Sequence, residues 1–302
     1  MTELPGLAGL PGFPELPGAS PLLPAASPLT VALLRPLRAD HCLVSSAEIE
    51  RLSTELGALV AHRPGGPFRL TDYLVRTTLW PSGSPGPSSP FAWTAGTARR
   101  GIGLAAVRSL VAGTTQSPVD GVGLAVSRAI SDAGRGRGPM SSMGQWLAGL
   151  TAAGRAAVQA DAVTWATRLW TSLDWRAFDS PPTIGRDHWW DSPHSSLLAI
   201  RSRAEVRASS TDGRGSPVSV HLVVLGGPRR AAVRSELSLV ALAEALRTGD
   251  PRPPGRIVGW WPDSGHFVSL EVDQVTLSLG VATVARTVAL LGAPDRGSGA
   301  AA

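Results

Sequence analysis

The sequence contains no lysine. All 28 basic side chains counted as Lys and Arg are arginines, so a mechanism that needs a side-chain ammonium beside a reacting centre has no residue to supply it. Arginine is no direct replacement, because its guanidinium is bulky, planar and permanently protonated. A GC-rich codon preference explains this composition as well as a functional cause does, and both leave the chain without a lysine.

The sequence is also poor in cysteine and in long apolar runs, and its first residues do not resemble an export signal. The single cysteine, Cys42, excludes an internal disulfide and a four-thiolate iron–sulfur cluster, and suits a reducing compartment. No apolar run approaches the ~20 residues that span a bilayer. The start of the chain carries Glu3 and Glu15 rather than a basic segment, which argues against a secretory signal. We therefore expect a cytoplasmic protein without a membrane partner.

The composition is that of a globular chain with terminal tails. The 302 residues are 43% hydrophobic and 17% charged, which suits a substantial core. Leu-Pro-Gly recurs three times near the start, and repeated Pro and Gly forbid a helix. We expect residues 1–29 to be a disordered tail, or else a docking peptide, and 30–68 to be an N-terminal extension. Residues 69–292 would form the main domain, and 293–302 a second disordered tail.

The predicted elements indicate an α/β fold: a central mixed β-sheet flanked by helices, with a helical N-terminal lobe. Their residue ranges are strands at 29–37, 200–208, 218–227, 255–261 and 266–272, and helices at 46–60, 69–81, 97–111, 119–131, 141–173, 236–246 and 275–291. The stretch 119–175 reads as a helical insertion. Its tryptophans are expected to pack in a core rather than to form a platform that stacks bases; they are Trp146, Trp165, Trp170 and Trp175.

The order strand, strand, helix, strand, strand, helix, together with one motif, resembles the PD-(D/E)XK nuclease superfamily. Within it, the similar branch is the one related to the RecB nuclease domain and to Cas4. Residues 200–205, Ile-Arg-Ser-Arg-Ala-Glu, are similar to the branch's apolar-Arg-Gly-Arg-apolar-Asp strand, with Ser for Gly and Glu for Asp. The resemblance implies a restriction-endonuclease-like core over about residues 69–292.

The same resemblance implies a degenerate catalytic site. Val223 and Leu225 stand where the branch has an acidic residue and a catalytic lysine, and Ala105 stands at the place of a metal-binding histidine. Only Glu205 keeps an acidic group, so we expect no catalysis and no cofactor. The alternative is a metal-dependent DNA exonuclease or endonuclease that uses Mg²⁺ or Mn²⁺. Its displaced ligands would be Glu205, Glu236 and Asp187.

Arginines are concentrated in the part of the chain that carries the resemblance. Residues 69–256 hold 22 of the 28 basic and 13 of the 23 acidic residues, a local net charge of +9. This predicts contacts with the phosphates of DNA or RNA; the candidates are Arg201, Arg203, Arg207, Arg229 and Arg230. Strict strand alternation would place the first three on one face with Glu205. The alternatives are ordinary ion pairs, such as Arg203 with Glu205, and a role confined to binding a protein partner.

One short segment combines residue types that bind metals. Asp187, His188, Asp191 and His194 fall within eight positions, and such groups ligate zinc. Pro193 and the two prolines at 181–182 favour instead a loop that leads into the following strand. We therefore expect no metal site there.

Overall fold

A computed structural model describes most of the chain. The described residues are 27–38, 41, 44–63, 66–80, 93–136, 140–185, 188–212, 214–227, 231–247 and 254–292, with the backbone alone for 140–142. Residues 1–26, Cys42 and 293–302 lie outside these ranges, so the expectations of a disordered tail at each end remain predictions. Asp187, Arg229 and Arg230 also lie outside them.

The described part of the chain is rich in helices, with the strands concentrated in its second half. The helices are α1 (Pro28–Leu34), α2 (Ser46–Ala61), α3 (Asp72–Leu79), α4 (Ala95–Val111), α5 (Pro118–Gly134), α6 (Met140–Gly149), α7 (Ala152–Ser172), α8 (Val233–Ala245) and α9 (Gln274–Leu291). The strands are β1 (Phe68–Leu70), β2 (Thr183–Ile184), β3 (His188–Asp191), β4 (Leu198–Ser202), β5 (Val206–Thr211), β6 (Pro217–Val224), β7 (Pro254–Trp260) and β8 (Phe267–Glu271).

The strands form two sheets. The smaller sheet has the order β1-β4-β3, with β1 parallel and β3 antiparallel to β4. The larger has the order β2-β5-β6-β7-β8 and is antiparallel except between β6 and β7. Helix α8 connects that parallel pair as a crossover. The expected α/β class with a mixed sheet is confirmed, as are the β5–β6 and β7–β8 hairpins.

Strand β6 lies in the centre of the larger sheet and is apolar on both faces. Its side chains Val220, Leu222 and Val224 join a core shared with the helical lobe α4–α7. Val223 and Leu225 join a second core shared with α8 and α9. The continuous apolar run of this strand is therefore explained by helices on both sides of the sheet.

The helical lobe is built as expected from the run of helices after residue 95. Trp165 is buried in its core, and Trp146, Trp170 and Trp175 pack against that core while partly exposed. Trp170 and Trp175 are stacked, with ring centroids 5.0 Å apart. The predicted core-packing role of these tryptophans is confirmed.

Helices α8 and α9 cross closely on the other face of the larger sheet. A Cβ added at Gly280 of α9 would lie 2.6 Å from the carbonyl oxygen of Ser238 on α8, so only glycine permits this approach. Helix α9 has 18 residues with a mean hydropathy of 1.5, and by length and composition it could cross a membrane. The expectation that no run approaches that length is wrong for α9, whose Leu277, Val284 and Val288 are buried in the fold.

The first predicted strand, residues 29–37, is instead the helix α1. Ser27 precedes it, and the Ser27 Oγ accepts a hydrogen bond from the Thr30 N–H at 3.1 Å. Pro28 occupies the first helical turn, where its missing N–H costs nothing. The apolar residues Leu29, Ala32 and Leu33 follow helical spacing and are buried. The predicted strand is wrong because the periodicity of a short apolar run does not distinguish a strand from a helix.

The predicted strand 200–208 is interrupted. Residues up to Ser202 belong to β4 in the smaller sheet, and residues from Val206 belong to β5 in the larger one. Arg203, Ala204 and Glu205 carry the chain from one sheet to the other. Strict alternation across this segment is therefore wrong, because an alternating pattern does not reveal a break between two strands.

Two further boundaries differ from the prediction. Residues 68–70 form β1 rather than the start of a helix, since the Thr71 Oγ1 caps α3 by accepting from the Leu74 N–H at 3.0 Å. Residues 188–191, predicted as a loop, form β3 and pair with β4. Each stretch contains aromatic residues, which suit a sheet, and the partner strand decides the outcome.

Candidate functional site

The position at which the resemblance places a metal and a lysine is the carboxyl end of β6. A pocket there is bordered by α3, α8 and the segment between β4 and β5. Its lining residues are Asp72, Arg76, Arg203, Val223, Val224, Leu225, Gly226, Glu236, Leu237 and Val240. The pocket holds a free volume of about 20 Å³, which is room for one water molecule. Ligand pockets for drug-sized molecules are on the order of 300 Å³ or more.

Glu205 lies beside this pocket and is fully buried, with 0% of its surface exposed. Its Oε1 accepts hydrogen bonds from the Arg100 Nε at 2.8 Å and from the Arg203 Nε at 3.2 Å. The Arg100 Nη2 is 2.6 Å from the same oxygen. The Oε2 accepts from the Val224 backbone N–H at 2.8 Å. Both oxygens of this carboxylate are therefore occupied by protein donors.

Arg203 extends the arrangement to a second carboxylate. Its Nη1 donates to the Asp72 Oδ2 at 2.8 Å and its Nη2 donates to the Val224 carbonyl at 3.2 Å. Burial on its own raises the pKa of Asp72, but the positive charges of Arg203, Arg100, Arg201 and Arg76 outweigh it and leave that pKa below the ordinary value. Asp72 is thus held ionised by the surrounding arginines.

The carboxylates of Glu205 and Asp72 are each paired with arginine. Mg²⁺ and Mn²⁺ take carboxylate oxygens and waters as ligands, whereas here the carboxylates of Glu205 and Asp72 accept from guanidinium groups. Among the residues that the structure describes, no group of three or more His, Cys, Asp or Glu is placed to hold a metal ion. Ala105 is half-buried on α4 and adds no ligand. Val223 and Leu225 are buried in the core shared with α8 and α9.

Arg100 and Asp72 are the residues at this site that sequence reasoning missed. Arg100 comes from α4 in the helical lobe, 105 positions before the glutamate that it contacts. The Arg100-Gly101 pair is visible in the sequence, but nothing local says which acid it meets. Asp72 stands in the first turn of α3, where an acidic residue is explained equally well by the helix dipole.

A second buried cluster lies on the α8 side of β5 and β6. Glu244 of α8 accepts from the Arg207 Nε at 3.0 Å and from its Nη2 at 2.5 Å. The Ser202 hydroxyl also donates to Glu244, and the His221 Nδ1 lies 3.4 Å from its Oε2. Burial opposes ionisation, but the Arg207 hydrogen bonds, the charge of His221 and Ser202 together lower the pKa of Glu244 to about 2. The cluster keeps a charged glutamate inside the fold.

The arginines predicted to form one phosphate-binding face therefore lie in different environments. Arg207 is 7% exposed and binds Glu244, so its guanidinium is turned into the protein. Arg203 is largely buried and forms ion pairs with Asp72 and Glu205. This is the alternative to phosphate binding that the sequence left open for Arg203. Arg201 lies on β4, opposite Trp189 of β3. Arg229 and Arg230 lie outside the described residues.

The residues of the possible zinc segment do not converge within the described chain. His188 and Asp191 are the first and last residues of β3, and Asp187 lies outside the described residues. His194 follows the strand, and its Nε2 lies 3.1 Å from the Glu50 Oε1 of α2. The segment forms the edge of the smaller sheet and connects it to α2.

Two exposed aromatic rings each have an arginine guanidinium over them. The Arg69 guanidinium carbon lies 4.5 Å from the centroid of the Trp189 ring, and that of Arg76 lies 5.3 Å from the Tyr73 ring. All ten tryptophans fall in described residues, and Trp189 alone is classed as exposed, at 36%. Tyr73, the chain's single tyrosine, is 45% exposed. The tryptophans considered on the helices pack in or against the core, and the two exposed rings were not anticipated.

No protein-family model matches the sequence, and no curated protein matches it.

Proposed function

We propose that this chain is a catalytically inactive protein of the PD-(D/E)XK nuclease type that binds nucleic acid in the cytoplasm without cleaving it. The observation that carries the proposal is the hydrogen bonding of the Glu205 carboxylate. This residue stands at the acidic position of the resembling motif, and Arg100, Arg203 and the Val224 N–H occupy its oxygens.

The surroundings of Glu205 support the lack of catalysis. A metal-dependent hydrolysis needs an open coordination position for water and a second group that stabilises developing charge. Here Val223 and Leu225 place aliphatic side chains in the core beside the pocket, and the sequence offers no lysine. Displacing the two arginines from Glu205 would leave buried charges without partners, which costs several kcal/mol.

The charge distribution supports nucleic acid as the ligand. The local net charge of +9 over residues 69–256 is only partly offset by acids from outside the range, since Arg168 pairs with Asp263 and Arg256 with Glu271. Arg69, Arg99, Arg128 and Arg234 are exposed in this part of the chain. Phosphate binding by such residues is sequence-independent and weakens steeply with salt.

The test is binding followed over salt concentration together with a cleavage assay. Labelled single- and double-stranded DNA and RNA are titrated with the full chain, and the slope of log K against log salt is measured. We expect salt-dependent binding, and no cleavage of any of the substrates in Mg²⁺ or Mn²⁺. Absence of binding to all of them would overturn the proposal in favour of a purely protein-binding role.

One observation favours the rival proposal of a displaced active site. Asp72 and Glu236 both line the pocket, and Arg203 connects Asp72 to the buried Glu205. If ligand binding moved Arg203 away, these carboxylates could share a metal ion. Metal-dependent cleavage by the wild-type chain that disappears in both Glu205→Gln and Asp72→Asn, with Glu55→Gln as the surface control, would establish this rival.

A further inference from the structure

The outer face of the smaller sheet is polar and aromatic, in contrast to its inner face. Phe68, Leu70, Ile200 and Trp190 are buried in the core with α8 and α9. Alternation along the strands turns the neighbouring positions outward. Trp189 lies opposite Arg201 in the β3–β4 pairing, and Arg69 of β1 lies opposite Ala199 of the central strand.

The exposed Trp189 ring is held in place rather than left free. Trp189 belongs to β3, which pairs with β4. The Arg69 guanidinium lies over the Trp189 ring, 4.5 Å from its centroid. A ring fixed in this way loses little conformational entropy when a flat ligand stacks on it or on the guanidinium plane. The exposed Tyr73, with Arg76 at 5.3 Å, repeats the same combination of residue types.

Helix α3, which carries Tyr73 and Arg76, packs against α8 and α9. The outer face of the smaller sheet itself presents the Trp189–Arg69 pair and Arg201.

We propose that this face, formed by Arg69, Trp189 and Arg201, binds single-stranded nucleic acid. This inference rests on the proposed nucleic-acid binding and names its substrate class and its surface. Trp189 stacks an unpaired base, while the arginines contact phosphates and the stacked ring. A duplex is a poorer ligand, because its bases are already stacked on one another and offer no free ring face.

The surface charge fits this ligand better than an apolar peptide. Arg69 is exposed and Arg201 lies across from the aromatic ring, whereas Asp191 is the acidic residue that the pairing puts on the same face, opposite Ala199. Asp191 repels phosphate, so the backbone of the bound nucleic acid should run along the side of the face that carries the arginines. The face carries one large ring among charged groups rather than a continuous apolar patch.

The test uses the full chain and a fluorescent oligonucleotide of about 15 nucleotides, a length that covers the usual site sizes. Deoxythymidine and uridine oligomers form two arms, which distinguish DNA from RNA, and a duplex of the same length forms a third. The variants are Trp189→Leu, Trp189→Phe and Arg69→Gln. The matched controls are Phe267→Leu, an exposed aromatic on β8 at the edge of the other sheet, and Arg286→Gln, an exposed arginine on α9 outside residues 69–256.

We expect Trp189→Leu to weaken single-strand binding about tenfold or more, the usual effect of losing one stacking ring. Trp189→Phe should retain most of the affinity, and Arg69→Gln should lower the salt slope by about 0.7. Both controls should bind as the wild type does, and circular dichroism should show that all variants fold alike.

Two results would overturn the inference, and they are distinguishable. Wild-type binding that is unchanged in Trp189→Leu and Arg69→Gln, or that is tighter for the duplex, removes this surface but leaves nucleic-acid binding in place. No binding by the wild type to any of the three ligands removes the proposed function as well. A protein ligand would then be the remaining candidate for the face.

Discussion

The Arg100 Nε lies 2.8 Å from the Glu205 Oε1, although the two residues are 105 positions apart. This contact connects the helical lobe to the junction between the two sheets. It also places a permanent positive charge against a buried carboxylate. The same ion pair therefore bears on the stability of the fold and on the proposed lack of catalysis.

Replacing Arg100 with glutamine should destabilise the protein by about 1–3 kcal/mol, since Glu205 stays buried with one charged donor fewer. Urea denaturation followed by tryptophan fluorescence measures the change in the free energy of unfolding. Arg99→Gln is the matched control, because Arg99 is the adjacent residue and is exposed. A loss of equal size in both variants would contradict a specific role for the pair.

Replacing both partners should cost less than the sum of the two single changes. Arg100→Leu and Glu205→Gln, made separately and together, give a double-mutant cycle. The coupling free energy should be on the order of 1–3 kcal/mol, because each single change leaves a buried charge that the double change removes. A coupling near zero would show that the two side chains are energetically independent.

Glu244 should make the stability depend on acid pH. Its pKa falls from 4.5 in the unfolded chain to about 2 in the fold, so the folded state favours the ionised form. That stabilisation is fully present above pH 4.5 and is lost as the pH falls through about 2; the pKa difference corresponds to roughly 3 kcal/mol. Unfolding free energies measured between pH 6 and pH 2 check it.

The variant for this comparison is Glu244→Gln, which removes the ionisable group and keeps its size. The variant should be less stable than the wild type at neutral pH and should lose less stability between pH 4.5 and 2. Glu55→Gln, on the exposed face of α2, should follow the wild-type curve. An unchanged acid dependence in Glu244→Gln would assign the effect to other carboxylates.

Arg256 should hold α1 in place. Its side chain is 0% exposed, and its Nη1 donates to the Leu33 carbonyl at 3.2 Å, while its Nη2 donates to the Pro36 carbonyl at 3.2 Å and to the Glu271 Oε1 at 3.1 Å. Lysine retains the charge but not the planar fork that makes these bonds together. Arg256→Lys should therefore lose about 2 kcal/mol or more, because buried donors and acceptors are left unpaired.

Hydrogen exchange shows which part of the fold loses stability in Arg256→Lys. In Arg256→Lys the amides of Pro28–Leu34 and the segment after it should exchange faster, while those of the α8–α9 pair should change less. Arg38→Gln is the control, because Arg38 is exposed and contacts the same Glu271 through its Nε at 2.9 Å. Uniformly faster exchange across the chain would indicate global destabilisation instead of local release.

The elements that local signals define could be predicted from the sequence. Helix α2 begins where the Ser45 Oγ accepts from the Glu48 N–H at 3.2 Å, and the serine and acidic residues that mark this start are visible in the chain. The β7–β8 hairpin follows from two apolar runs around Pro-Asp-Ser-Gly. In these cases the interacting groups are a few residues apart, so the pattern contains both partners.

The break between β4 and β5 and the strand β3 could not be predicted in this way. Both depend on which distant strand supplies the hydrogen-bonding partner: β4 pairs with β1 and β3, whereas β5 pairs with β2 and β6. Residues 200–208 alternate well enough for one strand. The switch between the sheets comes from the packing of the whole domain.

By itself, the sequence determined the α/β class, most helix positions and the absence of lysine, because composition and local spacing contain that information. The tertiary structure alone decided that Arg100 and Arg203 neutralise Glu205, that Arg207 turns inward to Glu244, and that Trp189 faces outward beneath Arg69. Each of these contacts joins residues from different elements. Their free energy depends on burial and on distances that exist only once the chain has folded.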